Sequence, residues 1–225
     1  MMMDIFSSFD PATTSIFNFS PLMFWSMNIM MILLIHPLFW ASPNQLFWLL
    51  SFPINTMDEQ SNRTTTSHLK GLTTILVALF ILIIGVNFMG IAPYVFSASS
   101  HLFFTLVLGL PLWLSLILSS LNFSASATLA SLLPGGAPAW LNPFLVLIEM
   151  TSTIVRPITL SFRLAANMSA GHIVLTLISV YLVYAALSNS VSAFLLLFFI
   201  QAGYTIFEMG ICLIQAYIFC LLLTL

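Results

Sequence analysis

The sequence contains very few charged residues. Only 4% of its 225 residues are charged, with four lysines and arginines against six aspartates and glutamates, whereas 60% are hydrophobic. An average water-soluble domain carries charge on about a quarter of its residues. The composition therefore predicts a protein that crosses a membrane several times. It also excludes the basic surface that nucleic-acid binding requires, so we expect lipid and apolar protein surfaces as neighbours and no nucleic acid.

Signals of metal binding, catalysis and targeting are also absent. Cys212 and Cys220 lie eight residues apart in one apolar run, about 12 Å along a helix, which is too far for a disulfide. The sequence has no CxxC pair, no histidine and carboxylate cluster with metal-ligand spacing, and no GxSxG or phosphate-binding glycine loop. Asp4 and Asp10 stand where a cleavable targeting segment would need basic residues. We expect two core cysteines, no cofactor, no metal, no autonomous active site, and a chain inserted as it is made.

Apolar runs predict where the chain crosses the membrane. A hydrocarbon core of about 30 Å takes about 20 helical residues. Three runs of ordinary length meet this requirement, at residues 16–36, 72–96 and 102–121. After the third, small residues and the turn signal PGGAP predict a loop over 122–142. Together with two longer runs near the end, we expect an all-α polytopic membrane protein, a single membrane domain over 1–225 with about five embedded helices.

Residues 43–71 combine an apolar stretch with most of the chain's charge. Phe47 and Trp48 suit the headgroup level, and Arg63 and Lys70 follow them. This composition predicts a helical segment lying on one membrane surface. Since the other two cations lie within an apolar run, the positive-inside rule puts this segment on the side of synthesis and the N-terminus in the opposite compartment.

The last two apolar runs are too long to cross upright. As single helices, residues 143–185 and 190–225 would measure about 63 and 53 Å at 1.5 Å per residue. A steep tilt, a bend or a break is needed to fit them, and Pro157 and Gly171 favour a bend. We predict a steeply tilted antiparallel helix pair. The alternative is a break at Pro157 that divides the first run into two helices, the first of them re-entrant.

Each long run carries one line of polar side chains. Glu149, Arg156 and Arg163 recur every seven residues in the first run, and Gln201, Glu208 and Gln215 do so in the second. A spacing of seven returns nearly to the same helix face. An arginine at membrane depth costs about 2.5 kcal/mol or more, so Arg163 predicts a partner or water. Two antiparallel neighbours with one polar line each favour a polar seam or a shared aqueous path.

Small side chains surround Arg163 and favour the close approach of another helix. We expect Ser161, Ala166, Asn167 and Ala170 to flank it. A guanidinium cannot be deprotonated, so this surface suits an external helix that bears an ionised carboxylate. His172 lies nine positions further on, which predicts the opposite helix face.

Structural alternatives remain open for these residues. Arg163 could be a packing arginine with Glu208 as its buried counter-ion. Glu149 could complement the helix dipole, and Arg156 could snorkel to an interface. Gln201 and Gln215 could form ordinary hydrogen bonds between helices.

Several motifs resemble those of one known family. Residues 148–174 contain IE, IVRP and RLAANMSAGH, and LIQAYIF follows near the end. FSSFDP, NFMGIAPYVF, LPLWL and LLPGGAPAWLNPF extend the likeness over almost the whole length. With these motifs the chain closely resembles subunit a of the F-type ATP synthase, in its mitochondrially encoded form.

The resemblance implies a stator subunit of the Fo sector beside a rotating ring of c subunits, with other stator subunits as neighbours, in the mitochondrial inner membrane. Arg163 matches the family's essential arginine, which interacts with the ring carboxylate and blocks direct proton leakage between two offset half-channels. His172 and Glu208 match the half-channel on the intermembrane-space side, Glu149 the matrix side, and Asn167 and Gln215 positions near the arginine. The N-terminus would face the intermembrane space, and the chain alone would perform no ATP chemistry.

Two other functions stay open from the sequence. A self-contained ion channel or transporter would need its own gate or a pair of internal repeats, and neither is visible. A purely structural subunit of another respiratory complex would not need an arginine at membrane depth.

Overall fold

A computed structural model describes Phe9, Ser26 and residues 45–64, 69–92, 95, 97–133, 139–188 and 190–224. The regular elements of these ranges are the helices α1 (Gln45–Arg63), α2 (Leu72–Ile91), α3 (Leu102–Ser131), α4 (Asn142–Leu187) and α5 (Val191–Thr224), with 3-10 turns at Ala98–Ser100 and Ala139–Leu141. Helices α2 to α5 are long and apolar enough to cross a membrane. The prediction of an all-α polytopic membrane protein is confirmed. The predicted span 16–36 lies outside the described residues except for Ser26.

Helix α1 forms within the predicted surface segment and has one buried face. Met57 and Ser61, one turn apart, are fully buried, and α1 packs against α2 and α5. Trp48 on the same helix is 78% exposed. The exposed side chains of Glu59 and Arg63 form an ion pair, with 3.8 Å between a guanidinium nitrogen and a carboxylate oxygen. Such a pair stabilises a helix by about 0.3–0.5 kcal/mol at most. The segment is helical as predicted, and its place on a membrane surface stays a prediction.

Helix α2 is shorter than its apolar run because proline follows it. Gly71 precedes the helix with φ +86°, a left-handed conformation that glycine adopts without strain. At the other end, Ala92 leaves the helix with φ −64° and ψ 136°. Ala92 is followed by Pro93 in the sequence, and the ring of a proline disfavours the helical conformation of the residue before it. The helix therefore ends at Ile91 rather than continuing to residue 96.

Helix α3 is longer than predicted. It consists of two helical stretches that meet at Ser124, whose φ of −158° and ψ of 90° are not helical, and the second stretch ends at Ser131. The expectation of a loop from residue 122 is wrong for 122–131, because this stretch holds serine, alanine and threonine rather than glycine or proline. Hydroxyl groups here donate to carbonyls one turn back, as Thr128 does to Ala125 at 2.9 Å. The glycine and proline residues come only after residue 133.

Helices α4 and α5 are single long helices. Their 46 and 34 residues correspond to about 69 and 51 Å. Helix α4 is continuous through Pro157 and Gly171, so the alternative of a break at Pro157 is wrong. A link around Ser188 and Ser190, whose hydroxyls lie 3.0 Å apart, joins the two helices. Their tilt in the membrane stays a prediction.

The described chain divides into two units. One holds α1, α2, the residues from Ala166 to the end of α4, and α5, and the other holds α3 and α4 up to Ala165. In the first unit, α2 packs against α5, and buried side chains on α5 include Phe219, Cys220 and Leu223. The Cys220 thiol lies 3.8 Å from the carbonyl of Leu76. Both cysteines are free and buried, which confirms that they are core residues.

Candidate functional site

Glu208 is a buried carboxylic acid on α5. It is 3% exposed, and neither carboxyl oxygen has a hydrogen-bond partner among the described residues. Burying a carboxyl group without a hydrogen-bond partner costs free energy, so a fold retains one only where it gains something else. The alternative that Glu208 is the buried counter-ion of Arg163 stays a prediction.

The Glu208 carboxyl group lies directly against Gly171. A β-carbon added to Gly171 would overlap Oε1 of Glu208, and it would lie 2.6 Å from the carboxyl carbon. Helix α4 therefore needs glycine at this position to admit the side chain from α5. From the sequence, Gly171 is expected only as a position for a bend, and the structure assigns it a different role.

His172 follows Gly171 directly and is half-buried. The backbone of Gly90, at the end of α2, interacts with its imidazole ring. Its Nε2 atom is buried and has no hydrogen-bond partner in the described part of the chain. The structure thus brings the carboxyl group of Glu208, from α5, to the turn of α4 that carries His172. Both side chains have buried polar atoms without a hydrogen-bond partner among the described residues.

Close packing surrounds this pair. A β-carbon on Gly90 would lie 2.6 Å from Cε of Met168 and 3.3 Å from Cβ of Ser97, so glycine permits α2 to approach α4. The sulfur of Met168 lies 3.5 Å from the thiol of Cys212, one turn after Glu208 on α5. Methionine and cysteine are polarizable and fill such irregular gaps well. The walls next to the polar pair are therefore tightly packed and largely apolar.

Asn87 on α2 is a polar residue that the sequence analysis missed. It is 1% exposed, and its Oδ1 atom has no hydrogen-bond partner within the described ranges. It lies about one turn before Gly90, whose backbone interacts with His172. The sequence does contain a signal for Asn87, because it is the one amide side chain in the apolar sequence of α2.

Arg163 lies on α4, in the unit formed by α3 and the part of α4 up to Ala165. Its side chain is exposed. Its neighbour Phe162 is 51% exposed, whereas Leu160 and Leu164 are buried. Arg163 forms no ion pair with the residues described. Its exposure agrees with the expected open surface.

The small residues around Arg163 are only partly as expected. Ala166 and Ala170 are exposed and Asn167 is half-buried. Ser161 was expected to flank the open surface, and this is wrong because it is fully buried. Its hydroxyl donates to the carbonyls of Pro157 at 3.1 Å and Ile158 at 2.8 Å. A residue two positions before Arg163 lies about 200° around the helix, on another face.

The remaining polar candidates are half-buried. These are Glu149 and Arg156 on α4 and Gln201 and Gln215 on α5. Gln201 and Gln215 lie seven residues on either side of Glu208 along α5, but no contact joins them to it in the described structure. Their roles stay predictions. Over the described ranges, no three histidine, cysteine or acidic side chains come together in a way that could hold a metal ion.

Comparison with known proteins decides the family. The sequence model described as ATP synthase A chain matches residues 21–225. The chain belongs to the ATP synthase subunit a family. Subunit a of Locusta migratoria is 37% identical over 226 residues, which cover 100% of this chain and 97% of that protein. Subunit a of Drosophila melanogaster is 39% identical over 229 residues, with the same coverage.

A third relative carries a more specific name. The ATP synthase F(0) complex subunit a of Rhopalosiphum padi is 35% identical over 223 residues, which cover 99% of this chain and 97% of that protein. The resemblance to subunit a therefore holds over the whole chain and is confirmed. Membership in the subunit a family, together with four apolar helices of spanning length, makes the chain a multi-pass membrane component of an ATP synthase.

Proposed function

We propose that this chain is the proton-conducting stator subunit of the Fo sector, with two offset half-channels that lead protons to and from a rotating c-ring. The observation that carries the proposal is the buried Glu208 carboxyl group against Gly171, beside His172, with polar atoms unpaired within the described chain. Such an arrangement costs stability, which a purely structural subunit has no reason to accept.

Glu208 and His172 have the chemistry of a proton relay. A carboxyl group and an imidazole can each accept a proton and donate it again. The amide of Asn87 can orient water or a neighbouring group through its own hydrogen bonds. The tightly packed sulfur contact of Met168 and Cys212 beside them suits a path of limited width. Together these residues support a half-channel on the intermembrane-space side.

Arg163 would act at the surface that meets the ring. Its guanidinium cannot lose its proton and favours the ionised form of a ring carboxylate that approaches it. The exposed alanines Ala166 and Ala170 leave room for a ring helix. A fixed positive charge between two half-channels also opposes direct passage of a proton. Because each proton releases about 2.3 kcal/mol per 100 mV, blocking that passage directs the energy into rotation.

The other candidates complete the proposal. Asn167 and Gln215 would line the path near the arginine, Glu149 the half-channel on the matrix side, and Gln201 a further polar position on α5. The chain would lie in the mitochondrial inner membrane, with its N-terminus in the intermembrane space, and contact the c-ring and other Fo stator subunits. ATP chemistry would take place elsewhere in the complex.

Reconstitution tests this proposal against a self-contained channel. The purified chain is placed in liposomes with and without a c-ring, and proton flux is followed with a pH-sensitive dye under an imposed potential. We expect flux only when the ring is present, because the two half-channels do not meet within the chain. Equal flux without the ring would show instead that the chain is a channel by itself.

A further inference from the structure

Phe9 packs against His172 although it lies far earlier in the sequence. The two ring centroids are 6.1 Å apart and the rings are nearly perpendicular, at 89°. Phe9 is half-buried in a 3-10 turn. Aromatic rings prefer this edge-to-face arrangement because the positive edge of one ring meets the negative face of the other.

The other described neighbours contact the imidazole without a side chain of their own. Gly90 forms a hydrogen bond with the ring through its backbone, and Gly171 has no side chain. A hydrogen bond holds only one edge of the ring, and because the terminal torsion of a histidine side chain has a broad energy minimum, the packing neighbours decide how far the other edge can turn. The perpendicular Phe9 ring restricts that rotation.

We propose that Phe9 is a positioning residue of the His172 site. It holds the imidazole in the orientation in which Nε2 is buried and without a hydrogen-bond partner in the described chain. The inference rests on the proposed function, because it matters only if His172 transfers protons. It extends the half-channel to a residue that precedes all the described helices.

The first experiment replaces the ring and measures ATP-driven proton pumping per assembled complex in membrane vesicles. Phe9→Leu keeps an apolar side chain but removes the perpendicular ring, and we expect pumping to slow about two- to tenfold, the range that an edge-to-face contact can account for. Phe9→Tyr keeps the ring and should restore most of the lost rate. The control is Phe194→Leu, which removes a half-buried ring stacked on Phe198 at 6.5 Å, about 21 Å along α5 from Glu208.

A double-mutant cycle then separates positioning from general packing. If Phe9 acts through His172, Phe9→Leu should slow pumping in the wild-type background and add nothing in a His172→Gln background. Additive slowing in both backgrounds, or normal pumping in Phe9→Leu, would overturn the inference while leaving the proposed function in place. Normal pumping in His172→Gln would instead overturn the role of His172 and, with it, that of Phe9.

Assembly is checked by the amount of complex on native gels. If Phe9→Leu lowers it, Phe9→Met supplies a more adaptable apolar side chain and the same cycle is measured with that variant. Loss of the complex in both variants would assign Phe9 to stability and refute a positioning role.

Discussion

The α-carbon of Gly171 on α4 lies where a side chain would collide with the carboxyl group of Glu208 on α5. One helix thus gives up a side chain so that the other can bury an acid. Since Glu208 finds no hydrogen-bond partner in the described structure, this contact gives the acid space and no added stability. Such an arrangement is expected where the acid, rather than the packing, is what the protein retains.

The first prediction concerns the variant Gly171→Ala. In a helix, alanine is favoured over glycine by about 1 kcal/mol, whereas overpacking costs about 1–3 kcal/mol. We expect Gly171→Ala to lower stability by at most about 2 kcal/mol and to slow proton flux strongly, because the Glu208 carboxyl must move. Thermal stability of the complex and ATP-driven pumping are measured on the same membranes.

Gly210 provides a matched control for this substitution. It lies on α5 two residues after Glu208, and an added β-carbon would meet nothing within 4 Å. Gly210→Ala should therefore keep the flux. Equal flux in Gly171→Ala and wild type would mean that the position of the Glu208 carboxyl does not matter for conduction.

The second prediction concerns Glu208 and His172 as a shared path. Replacing either by leucine removes a group that can accept and donate a proton, and loss of such a group costs about 10²-fold in many acid–base steps. We expect Glu208→Leu and His172→Leu to slow proton flux while the complex assembles. Unchanged conductance in both variants would make the two residues structural. Glu59→Leu, in an exposed ion pair on α1, is the control for loss of a carboxylate.

The third prediction uses Asn87 to separate stability from function. Its buried Oδ1 has no partner in the described chain, and removing a buried, unsatisfied polar group in favour of an apolar one of similar size is neutral or stabilising. We expect Asn87→Leu to keep or raise the melting temperature of the complex and to slow proton flux. Thr74→Leu, at an exposed position on α2, should leave the flux unchanged. Slower flux with a lower melting temperature would indicate a packing role for Asn87.

Much of the fold could be predicted because apolar runs directly specify helices of spanning length. Residues 143–185 and 190–225 were expected as two long helices, and α4 and α5 differ from them by only one or two residues at each end. The expected loop at 122–131 is a second short helical stretch after a break at Ser124, because these residues include no glycine or proline to end the helix, and their hydroxyls bond to carbonyls one turn back. Length and composition do not determine such details.

The site was less accessible to sequence reasoning. Glu208 and His172 stand out as polar residues in apolar runs, but the fit of Glu208 against Gly171 depends on the register between two helices, which no local pattern encodes. The contact of Phe9 with His172 joins residues even further apart in the sequence, so no local pattern indicates it. Ser161 was misplaced because a small side chain suits a buried face as well as an open one. Its position two residues before Arg163, about 200° around the helix, already indicated a different face.

The fourth prediction concerns Arg163. Arg163→Ala should abolish ATP synthesis while assembly survives, because no fixed charge then separates the two half-channels. Arg163→Lys should largely fail as well, since a compact ammonium lacks the planar donor set of guanidinium and can lose its proton when buried. The control is Arg156→Ala, one heptad earlier on the same helix. Near-normal ATP synthesis in Arg163→Ala membranes would contradict the proposed ion path.

The last prediction concerns which face of α4 meets the ring. Arg163, Ala166 and Ala170 are exposed and follow one another at spacings of three and four residues, which keeps them on one side of a helix. The buried positions among residues 160–171 are Leu160, Ser161, Leu164, Ala165, Met168 and Gly171. Cysteines are placed singly along residues 160–171, with a partner cysteine on the carboxylate-bearing helix of the c-ring, and disulfide yield is measured after mild oxidation. Because a disulfide needs α-carbons within about 7 Å, we expect maxima at 163, 166 and 170 and little product at the buried positions. A uniform yield, or a maximum at 168 or 171, would show that another face of α4 meets the ring.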